Sequence, residues 1–136
     1  MKCLGIDFGL KRVGLAISDA VGVMALPLAT LERTDNQTLF AELLAVLDRE
    51  RVQTVVVGIP YGLNGEETLS TRQALNFVAR LKRRSDLPVI TVDETLSSAI
   101  AEQRLADAGI PGKKRKPVLD QVAAQVILET YLNQNP

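Results

Sequence analysis

The chain has 136 residues, 46% of them hydrophobic, which is the size of one domain with one core spanning residues 1–136. Its 16 Lys and Arg balance 16 Asp and Glu, so average charge names no partner, and attraction to a polyanion would have to come from local clustering. Histidine is absent, which excludes Ser-His-Asp and Cys-His catalysis, the HExxH metalloprotease helix and histidine-ligated zinc chemistry.

What remains is carboxylate, lysine, hydroxyl and backbone, and clustered carboxylates without His or paired Cys favour a hard cation such as Mg²⁺ or Mn²⁺. The single cysteine, Cys3, has no partner for an intramolecular disulfide and lies on an apolar strand, as expected of a small core residue in a reducing cytoplasm. No stretch approaches the ~20 apolar residues that span a bilayer, and the chain opens on a strand rather than a secretory signal. A cytoplasmic protein with no membrane association is expected.

Residues 2–8 read as a strand, followed by Val13 to Ser18 with Leu15 and Ile17 alternating against smaller residues. A weaker extended run from Val23 to Leu31 is interrupted by Pro27. Short turns between the three predict an antiparallel meander. From Asn36 to Arg51, Leu39, Leu43, Leu44 and Leu47 recur at helical spacing, with Thr34 or Asp35 as N-cap. Thr54 to Ile59 is almost wholly apolar, as expected of a strand covered on both faces. A helix over 70–84 turns Ala74, Phe77, Val78 and Leu81 inward; a fifth strand runs from Pro88 to Val92. A third helix over 97–108 ends at Gly109 and Pro111, and a fourth runs from Val118 to Leu132. Between the last two helices, Pro111 to Pro117 reads as a mobile basic loop. The order predicts an α/β fold: a mixed five-stranded sheet, meander plus β-α units, with helices on both faces.

Three acids stand in places where apolar residues belong. Asp7 ends the first strand between glycines, with Lys11 and Arg12 just beyond; left unpaired there, a carboxylate costs several kcal/mol. Glu94 follows the fifth strand by two residues, and adjacent, parallel placement of the first and fifth strands would bring the two acids together. Asp120 opens the fourth helix, which is apolar nearly all round. Each has a simpler explanation: a turn cap for Asp7, a helix N-terminus for Asp93 and Glu94, a dipole-stabilised first turn for Asp120. Lys113, Lys114, Arg115 and Lys116 read alone as a solvated run; beside an acidic site they look like an arm for a phosphate backbone.

Four segments, GIDFGLKRVGLA at 5–16, VGIPYGLNG at 57–65, DETLSS at 93–98 and KKRKPVLDQVAA at 113–124, resemble in order and spacing the YqgF (RuvX) family. The resemblance covers essentially the whole chain. It implies a ribonuclease H-like fold and a nuclease linked to 5′-end maturation of pre-16S rRNA or to Holliday junction resolution. It carries an acidic triad onto Asp7, Glu94 and Asp120 as catalytic residues and metal ligands. One departure stands out: the family often has Arg after the catalytic Glu, where this chain has Thr95. Lys11, Arg12, Lys113 and Arg115 are candidates to supply that charge.

The expected chemistry is phosphodiester hydrolysis with two divalent ions, Mg²⁺ or Mn²⁺, Asp7 bridging them and Glu94 and Asp120 anchoring either side. Lys11, Arg12, Lys113, Lys114, Arg115 and Lys116 would hold the nucleic acid, a structured RNA precursor or branched DNA. A resolvase making two symmetrical cuts would be a homodimer. Two alternatives stay open: a nucleotide site like the related GIDFG-type hairpin of actin-like ATPases, and a non-catalytic nucleic-acid-binding module.

Overall fold

A computed structural model describes residues 1–134. Its elements are β1 (Cys3–Phe8), β2 (Arg12–Ser18), β3 (Ala25–Glu32), α1 (Asn36–Arg49), β4 (Thr54–Ile59), α2 (Leu69–Lys82), β5 (Val89–Asp93), α3 (Ser97–Asp107) and α4 (Gly112–Gln134), with a 3₁₀ turn at Leu63–Gly65. The sheet order is β3-β2-β1-β4-β5. The meander is antiparallel, whereas β1, β4 and β5 run parallel, so the mixed five-stranded sheet expected from the sequence is present.

Strand alternation gives the sheet two unlike faces. Leu4 and Ile6 of β1, Val13, Leu15 and Ile17 of β2, and Val55, Val57 and Ile59 of β4 project into one core with Leu39, Phe40, Leu43 and Leu47 of α1 and Phe77, Val78 and Leu81 of α2. Alternation carries Cys3, Gly5 and Asp7 of β1, Gly14 and Ala16 of β2, and Val56 and Gly58 of β4 to the other face, where α4 packs through Ala124, Ile127 and Leu128. Cys3 is a free, buried thiol on that face. α3 lies against α4 through Ala101, Leu105, Val122 and Ala123.

Local chemistry sets the boundaries. Asp35 caps α1 by accepting from the Thr38 amide, and Thr68 with Thr71 forms a capping box that opens α2 one residue earlier than the hydrophobic period indicates. Pro27 is tolerated because β3 is an edge strand, and pairing shifts register opposite Leu15/Ala16 beside it. Gly109 takes a positive φ of 77° just past α3.

The basic loop expected over 111–117 is instead helix: α4 begins at Gly112 and carries Pro117 inside it. Pro117 is the sixth helical residue, so its missing N–H costs one bond, to the Lys113 carbonyl, in a turn otherwise rich in good helix formers. The Lys114 amide donates to the Pro111 carbonyl at 2.9 Å, closing the first turn. Asp120 therefore lies well inside α4 rather than opening it. No helix among the described residues is long and apolar enough to cross a membrane.

Candidate active site

Asp7, Gly14 and Gly58 lie at one level of three adjacent strands. Asp7 is paired with Gly14 across β1–β2, and Ile6 with Val57 across β1–β4, which sets Asp7 beside Gly58. A Cβ at Gly14 would stand 2.0 Å from the Asp120 carbonyl oxygen; one at Gly58 would stand 2.4 Å from Ile127 and 2.9 Å from the Glu94 Cβ. The two missing side chains thus make room for the backbone of Asp120 on one side of Asp7 and the stem of Glu94 on the other. Gly5, one step down the same face, would clash at 2.8 Å with the Ala124 carbonyl and the Leu128 Cβ. Glycines let α4 lie on the sheet and carry its acid to the end of β1.

β4 separates β1 from β5, so the first and fifth strands are parallel but not adjacent. Glu94 bridges the gap because its amide bonds to the Ile59 carbonyl at 3.1 Å, which wraps the chain over Gly58 toward Asp7. Asp7, Glu94 and Asp120 line one cleft of about 240 Å³ at the carboxyl ends of the parallel strands, with Phe8, Gly9, Leu10, Pro60, Ser70, Gln73 and Ser98.

The three acids have different surroundings. Asp7 is buried, and its carboxyl is pushed up to about 8, first by loss of water and then by the charges of Glu94 and Asp120. Burial also raises Glu94, opposed by a hydrogen bond from the Ser97 hydroxyl. Asp120 accepts from Arg12 Nε at 2.9 Å. Asp93 is exposed and accepts from the Thr95 amide at 2.9 Å and from its hydroxyl, which holds its carboxyl below the usual range. Of the Asp93-Glu94 pair, only Glu94 enters the cleft, and Thr95 is spent on the turn.

Oxygen-only donors around a buried, proton-holding carboxylate form the donor set of a hard divalent cation. As the side chains stand, no three acidic groups among the described residues are close enough to hold an ion together, and Asp120 is engaged with Arg12. The residue types fit such a cation.

Helical spacing sorts the basic run. Lys113 and Lys116 fall on the Asp120 face and, with Arg12, Thr30, Glu32 and Pro117, line a groove of about 420 Å³ beside the cleft. Arg115 points the other way: Nε donates to the Ile110 carbonyl at 2.7 Å and a terminal nitrogen to Glu102 at 3.1 Å, tying α4 to α3. Lys114 and Lys11 are exposed and line neither the cleft nor the groove.

The chain matches the RuvX family model, described as Holliday junction resolvase, over residues 1–134. It belongs to that family. A relative from Maridesulfovibrio salexigens is 53% identical over 97% of this chain and 98% of its own length; one from Oleidesulfovibrio alaskensis is 52% identical over 98% and 92%. Both carry the name "Putative pre-16S rRNA nuclease". Among solved structures, Thermus thermophilus RuvC in complex with a Holliday junction substrate superposes with a TM-score of 0.59 at 20% identity, covering 99% of this chain and 96% of RuvC. The fowlpox virus Holliday junction resolvase gives 0.58 at 16%, covering 98% and 99%. At those identities the likeness establishes the fold, which is ribonuclease H-like.

Sequence reasoning reached the three acids but missed their neighbours. Ser70 and Gln73, one helical turn apart at the start of α2, enter the cleft because the Thr68–Thr71 capping box turns that end toward Pro60, whose carbonyl accepts from the Thr71 hydroxyl. The T-x-x-T pattern at 68–71 was the available signal. Of the loop over 60–65 that follows β4, only Pro60 lines the cleft; Tyr61 packs against the α1/α2 core and Asn64 sits in an exposed turn at φ 59°. Arg33 was also missed: it stacks over Phe8 at 4.2 Å and donates to the Gly9 carbonyl at 2.8 Å, fixing the turn after Asp7.

Proposed function

We infer that this chain is a single-domain, metal-dependent endonuclease hydrolysing phosphodiester bonds, with Asp7, Glu94 and Asp120 as its catalytic acids. The observation that carries this reading is the convergence of three carboxylates from separate elements on one cleft, in a chain of the RuvX family. A bound Mg²⁺ or Mn²⁺ pair would supply an activated water and neutralise charge on the phosphoryl oxygens. Asp7, held by the strand, would be a ligand together with Glu94, oriented by the Ser97 hydroxyl, and Asp120, delivered by α4 over Gly14. Burial that lifts the Asp7 carboxyl makes its ionised form depend on a nearby cation, which favours a ligand over a structural cap.

The names of the curated relatives favour precursor 16S rRNA as substrate; we propose that it is processed at its 5′ end, in the cytoplasm. The family description favours a second reading, cleavage of branched DNA by a homodimer. Asp7→Asn is expected to abolish Mg²⁺- or Mn²⁺-dependent cleavage while leaving a cooperative melt. Full activity in that variant would end the triad assignment. Parallel assays on a 16S precursor and a four-way junction separate the substrates, and loss of binding as well as cleavage in both would leave neither reading standing. Nucleic acid bound without cleavage would instead select the non-catalytic module.

A further inference from the structure

Two recesses share one ion pair as their common wall. Asp120 lines the acid cleft; Arg12 lines the adjacent groove with Lys113 and Lys116; Arg12 Nε donates to Asp120 Oδ2 at 2.9 Å between them. The side chains of the pair are 29% and 20% exposed, so Arg12 can be reached from the groove and Asp120 from the cleft. The groove presents three cationic side chains against one carboxylate, Glu32, which pairs with Arg12 in strand register. A guanidinium accepts a phosphate in place of a carboxylate with equally good fork geometry.

We propose that a backbone phosphate entering this groove draws Arg12 away from Asp120, and that the freed carboxylate joins Asp7 and Glu94 to complete the cation site. This rests on the nuclease reading above. Arg12 is then a positioning residue: without nucleic acid it holds one of the three acids back, and with nucleic acid it becomes a phosphate contact. Nucleic acid and divalent cation therefore bind with positive coupling. Linkage makes that coupling reciprocal, and typical values correspond to roughly 5- to 150-fold in affinity.

The test uses Mn²⁺ alone as probe, with free ion measured by electron paramagnetic resonance, on the full chain with and without a nuclease-resistant 2′-O-methyl RNA oligonucleotide. Ion taken up by the oligonucleotide itself is subtracted. Bound oligonucleotide is expected to tighten Mn²⁺ binding by about 5-fold or more, and Mn²⁺ to tighten oligonucleotide binding by the same factor. Arg12→Gln is expected to bind Mn²⁺ more tightly than the wild type without oligonucleotide, and to respond little when it is added. Lys116→Gln removes the same charge from the groove and serves as control; its gain should be smaller. An Arg12→Gln protein that melts cooperatively but binds Mn²⁺ no better than the wild type overturns the proposal, as does an equal gain in Lys116→Gln. A wild-type Mn²⁺ affinity indifferent to bound oligonucleotide does so without any variant. If the wild type binds no oligonucleotide, the nuclease reading fails instead, and the Arg12→Gln comparison in free protein still decides whether Arg12 restrains Asp120.

Discussion

The two faces of the sheet are made from different residues for different ends. Toward α1 and α2 the strands present Leu, Ile, Val and Phe, and the helices answer with Leu and Phe, including the stacked pair Phe40 and Phe77 at 5.5 Å. Toward α4 they present Cys, Gly and Ala, with Val56 the largest apolar side chain on that face of the three central strands. The first face buries most of the apolar area and so carries most of the stability. The second gives up area for proximity: a helix backbone rests on glycines, and the space saved is where the acids meet. Stability and chemistry are separated by the thickness of one sheet.

The largest expected effect comes from filling that space. Gly14→Ala places a methyl 2.0 Å from the Asp120 carbonyl oxygen, a contact backbone cannot relieve without shifting α4. Activity should fall at least ~100-fold, because a displacement near 1 Å at a reacting group has that scale, with a stability loss of about 1–3 kcal/mol from overpacking. Leu43→Ala tests the opposite face. Leu43 is fully buried among the α1/α2 side chains, and its truncation should cost about 2–5 kcal/mol in urea denaturation while kcat per folded molecule stays at the wild-type value. If Leu43→Ala lowers kcat in proportion to Gly14→Ala, the two faces are not independent.

The large-residue face was legible in the sequence because its signals are periodic. Leu39, Leu43 and Leu47 mark a helix, and the apolar run at 54–59 marks a covered strand. The acids were legible as anomalies in that pattern. What connects them was not, since Gly14 and Gly58 are silent residues whose meaning depends on what lies above them. The adjacency of β1 and β5 on which the meeting of Asp7 and Glu94 was conditioned is absent for the same reason: strand order is a property of long-range packing, and β4 lies between them, where its two-sided apolar run is covered on both faces. Pro117 misled in the other direction. A proline usually ends a helix, but six residues in it removes only one hydrogen bond, and the anchoring of Arg115 to Ile110 and Glu102 supports the turn before it. The helix that results decides which cations face the site.

A third expected effect concerns the energetic cost of the small-residue face. With its carboxyl raised to about 8 from an ordinary value of 3.8, Asp7 in the folded, metal-free protein keeps a proton that the unfolded chain gives up. Below pH ~4 both states are protonated and Asp7 costs nothing through ionisation. As pH rises from there to about 8 the folded state binds more protons than the unfolded one, so stability falls, by ~1.4 kcal/mol per pH unit at most. Asp7→Asn removes this dependence. In chelator-treated protein, its melting temperature should match the wild type near pH 4.5 and exceed it by a widening margin toward pH 8. A constant difference across that range would mean that the cleft does not hold Asp7 out of water.

The smallest expected effect lies at the rim, where helical spacing divides the basic run. Lys113 and Lys116 line the groove beside Asp120, whereas Arg115 is already bonded to Ile110 and Glu102. Each phosphate contact contributes roughly 0.7 to 0.9 to the slope of log Kobs against log salt concentration. Replacing Lys113 and Lys116 together by Ala should therefore flatten the slope by about 1.4 to 1.8. Arg115→Ala should leave the slope unchanged and instead lower stability by ~1 kcal/mol, since what it loses is a tie between α3 and α4. An equal flattening by Arg115→Ala would mean that the cations act as a diffuse cloud. A flattening confined to Lys113 and Lys116 would mean that the proline-containing first turns of α4 set the phosphate register, with the same helix carrying Asp120 to the chemistry.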